Sequence, residues 1–512
     1  MTISKIAVPG FMLLTAAGGC QQIQKQTPSA SPNIIYILAD DMGYGDVKAL
    51  NQASKIPTPN LDRMVNEGLS FTDAHSNSAV CTPTRYGILT GRYCFRSRMK
   101  SGVLVGHEPS LIEPGRPTVG TLLQKAGYQT ACIGKWHLGL DWAKKDPSQP
   151  LWHGGNLWDM ENTENVDYAA TVNGGPADHG FDYSFIIPAS LDIAPYVYVE
   201  NKQVTAPVSR KVPFFKDEKA RGVWYRKGDI ADDFDHTTVL QTLTEKAVHF
   251  ISEASKKEQP FFLYFPMSAP HTPWFSAKEF QGKSQAGVYG DFVVMVDAMV
   301  GKILATMDKK TADNTMIIFT SDNGSNWLPQ DIEQFNHRAN GPYIGMKSDV
   351  WEGGHRVPFI VRWPKSIKGA SRSNEVICTT DLMATCAALT NQRLANDAGE
   401  DSYNLLPVLQ GKKLNQPLRE ATVHHSVNGT FAIRKGEWKY IAAKGSGGWS
   451  LPENKVAPDA PEGQLYNMTD DPTEQHNLYN QMPEKVAELK ALLKKYRSQG
   501  YSRPMPELRE EK

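Results

Sequence analysis

Five short runs of apolar, β-branched and aromatic residues recur along the chain, at Ile34–Leu38, Thr130–Ile133, Phe261–Phe265, Met316–Thr320 and Pro358–Val361. Each has strand length and lacks the polar alternation of a strand with one wet face, so both faces must be covered. Between them, apolar residues recur at helical spacing in Asn60–Glu67, Thr118–Ala126, Thr237–Ser255 and Asp291–Met307. Doubly buried strands alternating with helices predict an α/β fold, a large and mostly parallel sheet flanked by helices. After Leu409-Gln-Gly the pattern changes. Ala421–His425, Thr430–Arg434, Trp438–Ile441 and Gly463–Tyr466 are short strand candidates separated by turn residues, and Pro483–Arg497 reads as a closing helix. A small C-terminal antiparallel sheet with one helix follows, with a division into residues 33–410 and 411–512.

The first residues are of another kind. Lys5 is the one charged side chain among the first twenty, Ile6–Leu14 is mainly apolar, and Thr-Ala-Ala-Gly-Gly leads to Cys20. This run is too short for a membrane span and reads as a signal peptide, residues 1–20. The small residues before Cys20 resemble a bacterial lipobox, which implies lipidation of Cys20. Ala17 stands where such a motif usually has Leu, and cleavage by ordinary signal peptidase is the second reading. Residues 21–32 then form a flexible tether. The expected location is the bacterial periplasm or cell envelope, with membrane contact through the lipid anchor only. In that oxidising setting Cys94, Cys132, Cys378 and Cys386 are candidates for disulfides. Acidic and basic residues balance at 55 each, which argues against a nucleic-acid partner.

Polar residues cluster where apolar strands end, the edge at which ligands bind in open α/β sheets. Asp40 and Asp41 follow the first strand, and Asp322 and Asn323 follow a later one. Three carboxylates and an amide oxygen form a hard-oxygen set suited to calcium or magnesium. Adjacent aspartates can share an ion only where the strand gives way to a loop, and Gly43 permits that turn. In Cys81-Thr-Pro-Thr-Arg85, Pro83 suits a first helical turn and puts Cys81 at a helix N-terminus, where negative charge is favoured. If Lys135-Trp136-His137 is extended, Lys135 and His137 project to one side.

The segment Cys81–Gly91 closely resembles the signature of formylglycine-dependent sulfatases of the arylsulfatase type, within the alkaline-phosphatase-like superfamily. Further elements resemble that family in order: Gly134-Lys135-Trp-His137-Leu-Gly139, Gly180-Phe-Asp with Ser190 and Asp192, Ala269-Pro-His271-Thr-Pro273, Gly345-Met-Lys347, Trp351–Pro358, Asp381–Thr385 and Asp471–Leu478. Ala384 stands where the family has Pro. The resemblance runs from about Asn33 to Leu478 and implies a sulfate monoester hydrolase acting on a sulfated small molecule or glycan.

It further implies that a formylglycine-generating maturase converts Cys81 to an aldehyde (3-oxoalanine) whose hydrate attacks sulfur. One divalent cation, calcium by the amide at Asn323, would be held by Asp40, Asp41, modified Cys81, Asp322 and Asn323. Arg85 would hold the diol, Lys135 and Lys347 the sulfate, and Ser190 the sulfate or leaving group. Asp322 would act as base, His271 or Lys347 would protonate the departing alcohol, and His137 would take the second hydroxyl's proton. Two rivals remain at this point: a phosphomonoesterase or phosphonate hydrolase of the same superfamily, and a non-catalytic lipoprotein that binds sulfated glycans. Trp274 and Trp327 admit two readings, sugar stacking or plain packing.

Overall fold

The apolar runs become the middle of a ten-stranded sheet. The computed structural model describes residues 1–2, 31–152, 158 and 163–505. In chain order the strands are β1 (Asn33–Ala39), β2 (Leu69–Phe71), β3 (Gln129–Lys135), β4 (Tyr183–Ile187), β5 (Val199–Glu200), β6 (Gln203–Val204), β7 (Phe261–Pro266), β8 (Thr315–Ser321), β9 (Phe359–Arg362) and β10 (Ser371–Ser373). Across the sheet they stand β10-β2-β9-β8-β1-β7-β3-β4-β5-β6. The five central strands β8, β1, β7, β3 and β4 are parallel, as the doubly apolar runs require. Ile35 on β1 stands opposite Leu263 and Ile317, so branched and aromatic side chains fill both neighbouring ladders. Toward the edges, β9, β2, β5 and β6 run antiparallel to their inner neighbours.

Helices α1 (Pro59–Glu67), α2 (Cys81–Thr90), α3 (Val119–Lys125), α4 (Val239–Ala254), α5 (Gly287–Ala305) and α6 (Leu382–Leu389) cover the sheet. They form two packed groups, α1 with α4 and α5, and α2 with α3 and α6. Helix α5 buries Phe292, Val293, Met295, Val296, Met299, Val300 and Ile303, an apolar surface too wide for a helix with one wet half. Helix α2 is buried along all ten residues and ends at Gly91, whose φ of 63° suits the left-handed stop that glycine adopts without strain.

The C-terminal region forms a four-stranded antiparallel sheet, β11 (Thr422–His425), β12 (Phe431–Lys435), β13 (Trp438–Ile441) and β14 (Gln464–Asn467), with α7 (Pro483–Gln499) packed on it. Val486, Leu489, Leu493 and Tyr496 of α7 meet Val423, Ile433, Tyr440 and Leu465. Each large side chain buried there contributes about 1.5–3 kcal/mol. Pro32–Lys512 forms one compact unit.

Between the large and small sheets lies a buried ionic cluster. Asp73 accepts from Arg356 at 2.5 Å and Arg434 at 2.9 Å, and meets His75 Nε2 at 2.6 Å. Lys439 pairs with Glu352 at 2.9 Å and Glu474 at 2.7 Å. His75, His355 and His424 pack among them, the last two stacked at 4.0 Å with ring planes 6° apart. Stacked rings share no in-plane point for an ion, and the Lys439 ammonium stands 3.1 Å from His355 Nε2, so this triad is not shaped to hold a metal.

Three expectations need correction or placing. Cys94, Cys132, Cys378 and Cys386 are buried free thiols rather than disulfide partners. His137 is not extended: its φ is 54°, so the chain turns immediately after β3. Residues 1–20 with Cys20, and the tether apart from its last two residues, lie outside the described residues save Met1 and Thr2.

Candidate active site

Because the central strands are parallel, their C-terminal ends share one edge, and the loops leaving β1, β3, β4, β7 and β8 converge there. At the end of β1 the Asp40 amide donates to the Ala269 carbonyl at 3.0 Å, tying this loop to the one bearing His271. Asp41 then adopts a φ of 68°, and its amide donates to Asp322 Oδ1 at 3.1 Å. That turn sends neighbouring carboxylates into one space, as a continuing strand would not. It also needs Gly43, where a Cβ would stand 2.1 Å from the Ala339 carbonyl oxygen.

Cys81 is the first residue of α2, beside the helix's free amides. Its Sγ lies 3.6 Å from Asp40 Oδ1, 4.0 Å from Asp41 Oδ1 and 3.6 Å from Lys135 Nζ. Lys135 Nζ donates to Asp40 Oδ2 at 2.7 Å, and Lys347 Nζ donates to Asp41 Oδ2 at 2.7 Å. One turn along α2, Arg85 donates to Asp322 Oδ2 through Nη2 at 2.6 Å and Nε at 3.1 Å, and its Nη1 grips the Lys135 carbonyl at 2.9 Å. Ser190, on the loop after β4, sits 3.4 Å from Lys135 Nζ and 3.1 Å from His271 Nδ1. His271 Nε2 is 3.7 Å from Asp41 Oδ2. The structure therefore gathers Asp40, Asp41, Cys81, Arg85, Lys135, Ser190, His271, Asp322, Asn323 and Lys347 into one connected cluster. The floor at Asp40 and Asp322 is wholly buried, while Asp41, His271 and Lys347 are 5–7% exposed and form the approach.

His137 is placed differently. Nε2 lies 2.8 Å from the Leu104 carbonyl, which can only accept, so Nε2 carries the proton and Nδ1 keeps a lone pair. That Nδ1 is buried and has no hydrogen-bond partner among the described residues. Thr82, next to Cys81, donates to the His137 carbonyl at 2.9 Å.

Burial pushes the Cys81 thiol up, with Asp322 adding to the effect. Burial also pushes Asp322 up, to about 6, against the pull of Arg85 and with the repulsion of Asp40 and Asp41. Asp40 stays well below the usual range because Lys135, His271, Arg85 and Lys347 together outweigh its burial. Desolvation, then Lys135 and Arg85, keep His137 neutral; desolvation and Lys347 lower His271.

A divalent cation fits this donor set. Asn323 Oδ1 is buried without a hydrogen-bond partner among the described residues, and its amide nitrogen donates to Asp41 Oδ1 at 2.7 Å. Asp40, Asp41, Cys81 and His271 each offer an atom within 4.8 Å of the others. Oxygen-rich donors suit a hard ion. Asp40, Asp41 and Asp322 balance Lys135, Lys347 and Arg85, so an added divalent ion leaves positive charge for an anionic ligand to neutralise.

Three supports had no sequence signal. The Leu104 carbonyl holds the His137 ring through a main-chain acceptor that any residue type could supply, and the Thr82 hydroxyl holds the His137 carbonyl through a contact that only the fold creates. Arg226 pairs with Asp192 from 34 residues away, and Asp192 Oδ1 stands 3.7 Å from His271 Nδ1. Trp274 and Trp327 are packing residues: both are buried, against Tyr289 and under the Arg221 guanidinium.

A nucleophile-bearing helix N-terminus, facing paired cations and carboxylates at a sheet edge, defines a hydrolase of anionic esters. Residues 32–392 match the family model described as Sulfatase, and residues 346–499 match one described as N-sulphoglucosamine sulphohydrolase, C-terminal. An N-acetylgalactosamine-6-O-sulfatase of Bacteroides thetaiotaomicron is 35% identical over 525 residues, covering 95% of this chain and 97% of that one. Human N-acetylgalactosamine-6-sulfatase is 33% identical over 396 residues, covering 76% and 67%. A solved structure from work on the metabolism of multiple glycosaminoglycans by Bacteroides thetaiotaomicron matches with a TM-score of 0.78 at 33% identity, over 92% of this chain and 100% of that one. The chain belongs to the sulfatase family. It is a sulfuric ester hydrolase of the alkaline-phosphatase-like fold.

Proposed function

We propose that the protein removes the 6-sulfate of N-acetylgalactosamine residues in sulfated glycans, using formylglycine made from Cys81 and one calcium ion. The observation that carries this reading is Cys81 at the start of α2, 3.6 Å from both Asp40 Oδ1 and Lys135 Nζ. The near end-to-end likeness to the bacterial 6-O-sulfatase supports the choice of sugar position.

Asp40, Asp41, Asp322, Asn323 and the modified residue 81 would hold the cation, which supplies electrostatic neutralisation of a sulfate group. Formylglycine at residue 81 would supply, as its hydrate, a nucleophilic oxygen and a second hydroxyl on the same carbon. Lys135 and Lys347, fixed by Asp40 and Asp41, point ammonium groups at the sulfate oxygens. Arg85 orients Asp322 through Oδ2, setting that carboxylate as the proton acceptor. His137 presents its bare Nδ1 as the second proton acceptor, its tautomer set by Leu104. At the approach, His271 or Lys347 delivers a proton to the departing alcohol oxygen, with Ser190 orienting His271.

The same reading makes the protein an exported enzyme of the bacterial periplasm or envelope, anchored by a lipid on Cys20 and activated by a maturase. Among the described residues no helix is long and apolar enough to cross a membrane. The test is co-expression with a formylglycine-generating maturase, mass measurement of the peptide containing residue 81, and assay of sulfate release. The aldehyde with release from N-acetylgalactosamine 6-sulfate in preference to the 4-sulfate is expected. An unmodified thiol beside a control sulfatase converted in the same cells, or preference for the 4-sulfate, refutes the corresponding part.

A further inference from the structure

Two faces of α7 carry their cations differently. On one, Glu488 pairs with Lys435 at 3.0 Å and with Lys485 at 2.6 Å, so charge meets counter-charge. On the other, Lys490, Lys494 and Arg497 follow one another at helical spacing. With Lys100 they line a groove of about 870 Å³ against the turn at Asn428 and Gly429, and no carboxylate is in its lining.

These cations are nevertheless held. Lys100 Nζ donates to the Phe95 and Ser97 carbonyls, both at 2.6 Å. Lys490 Nζ donates to Tyr479 Oη at 2.8 Å and lies 5.1 Å from the centre of that ring. The Arg497 guanidinium stands 4.3 Å from the centre of the Phe431 ring. Each of these partners is neutral, so the side chains are ordered and their charge is left unspent. Arg497, in the last turn, also suits the helix dipole, but Lys490 in mid-helix and Lys100 outside the helix do not. In a chain whose acidic and basic residues balance at 55 each, four cations around one groove make a local positive field.

The spacing says what kind of anion fits. Lys490 and Arg497 stand about 10 Å apart along the helix axis, and Lys100 comes from another element. A small anion meets one or two of these groups, whereas a chain with spaced anionic groups meets all of them. The surface is concave, and none of the large apolar side chains exposed among the described residues lines it, so it has nothing to insert into a bilayer. We propose that this groove binds a polyanionic glycan chain through its sulfate and carboxylate groups. No residue of the catalytic cluster lines it, and its role is to hold the enzyme on the polymer and raise the local concentration of cleavable groups. For the identity of that polymer it rests on the proposed function.

The test uses the full-length enzyme co-expressed with the maturase. The probe is an octasaccharide that carries sulfates and carboxylates but no N-acetylgalactosamine, so it offers the catalytic cluster no substrate. Calorimetry should show it bound at about 50 mM salt and released at about 300 mM, as the charges are screened. Lys490→Gln, Lys494→Gln and Arg497→Gln combined should weaken binding roughly tenfold. Lys494→Gln alone, at an exposed position, should weaken it about twofold with the fold intact. Sulfate release from monomeric N-acetylgalactosamine 6-sulfate should be the same in both variants as in wild type, and the octasaccharide should not inhibit it. Absence of binding, binding that neither variant weakens, or competition with the monosaccharide overturns the groove as a glycan site. Variants that lose only binding to phosphatidylserine vesicles overturn it in favour of a lipid surface. Octasaccharide binding that the variants weaken, without sulfate release from the monosaccharide, leaves the groove standing and removes the proposed substrate.

Discussion

The cluster at the strand ends and the cluster between the two sheets are built from the same kinds of residue. The first sets Asp40, Asp41 and Asp322 against Lys135, Lys347 and Arg85, with His137 and His271 beside them. The second sets Asp73, Glu352 and Glu474 against Arg356, Arg434 and Lys439, with three histidines. Composition and burial do not tell them apart. Backbone does. In the second, His75, His424, Arg434 and Lys439 sit on strands and His355 on a short helix, with Asp73 and Glu474 (φ 57°) supplied by loops, and the rings and ion pairs join the two sheets. In the first, Asp41 and His137 sit in left-handed turns just past strand ends, and a thiol at a helix N-terminus projects among the carboxylates. Regular elements use buried charge to join parts; loops at a parallel edge aim it at a ligand.

Four substitutions test that distinction. With wild type and variant both co-expressed with a formylglycine-generating maturase, Cys81→Ala should lower sulfate release by more than about 10⁴-fold, while the melting temperature stays within a few degrees of wild type. Sustained turnover would remove Cys81 from the chemistry. Cys81→Ser, with one hydroxyl, should give at most a single turnover in a rapid-quench assay. Lys439→Ala leaves Glu474 without its cation and should cost about 3–5 kcal/mol in urea unfolding, with kcat of the folded fraction close to wild type. A large loss of kcat at unchanged stability would show that the two clusters are not separate in role. Lys347→Met should lower kcat/KM by about 10²- to 10³-fold, far more than its loss of the Asp41 pair lowers stability, the reverse signature.

The smallest effect concerns acid. Burial raises the Asp73 carboxyl, but Arg356, His75 and Arg434 outweigh it and hold it at about 2. Its folded pKa lies below the unfolded value, so its contribution is complete above about pH 4 and disappears as pH falls toward 2. That contribution is about 2 kcal/mol. The stability gap between wild type and Asp73→Asn, read from denaturation midpoints, should therefore narrow from pH 5 to pH 2.5 (approximate end points). A gap constant across that range would mean Asp73 acts by shape rather than charge.

Much of this was legible in the sequence, and for a physical reason. A strand buried on both faces must be apolar throughout, so β1, β7 and β8 announced themselves, and the polar residues directly after them could only lie at one edge. The C-terminal sheet was legible through its turns, and its helix through apolar spacing. Strand β4 went unseen because Tyr183 and Ser184 open it, leaving only Phe185-Ile186-Ile187 as a continuous apolar run. Among the antiparallel outer strands, β9 was legible as the run Pro358–Val361 but its direction was not, since direction depends on the connection, and β2, β5 and β6 were silent. At the site, side chains with distinctive chemistry could be named, while the Leu104 carbonyl and Arg226 act through register and distance. The expected extension through His137 failed for the same reason: a φ of 54° in a non-glycine residue is imposed by what surrounds it.

The burial of α2 sets an order of events. Cys81 is 1% exposed, and every other residue of Cys81–Thr90 is buried with it. The proposed conversion of Cys81 would therefore need the side chain before the fold closes over it, since the folded protein leaves a modifying enzyme no access to α2. Timing during synthesis, rather than surface recognition of the finished protein, would set how many molecules carry the proposed aldehyde.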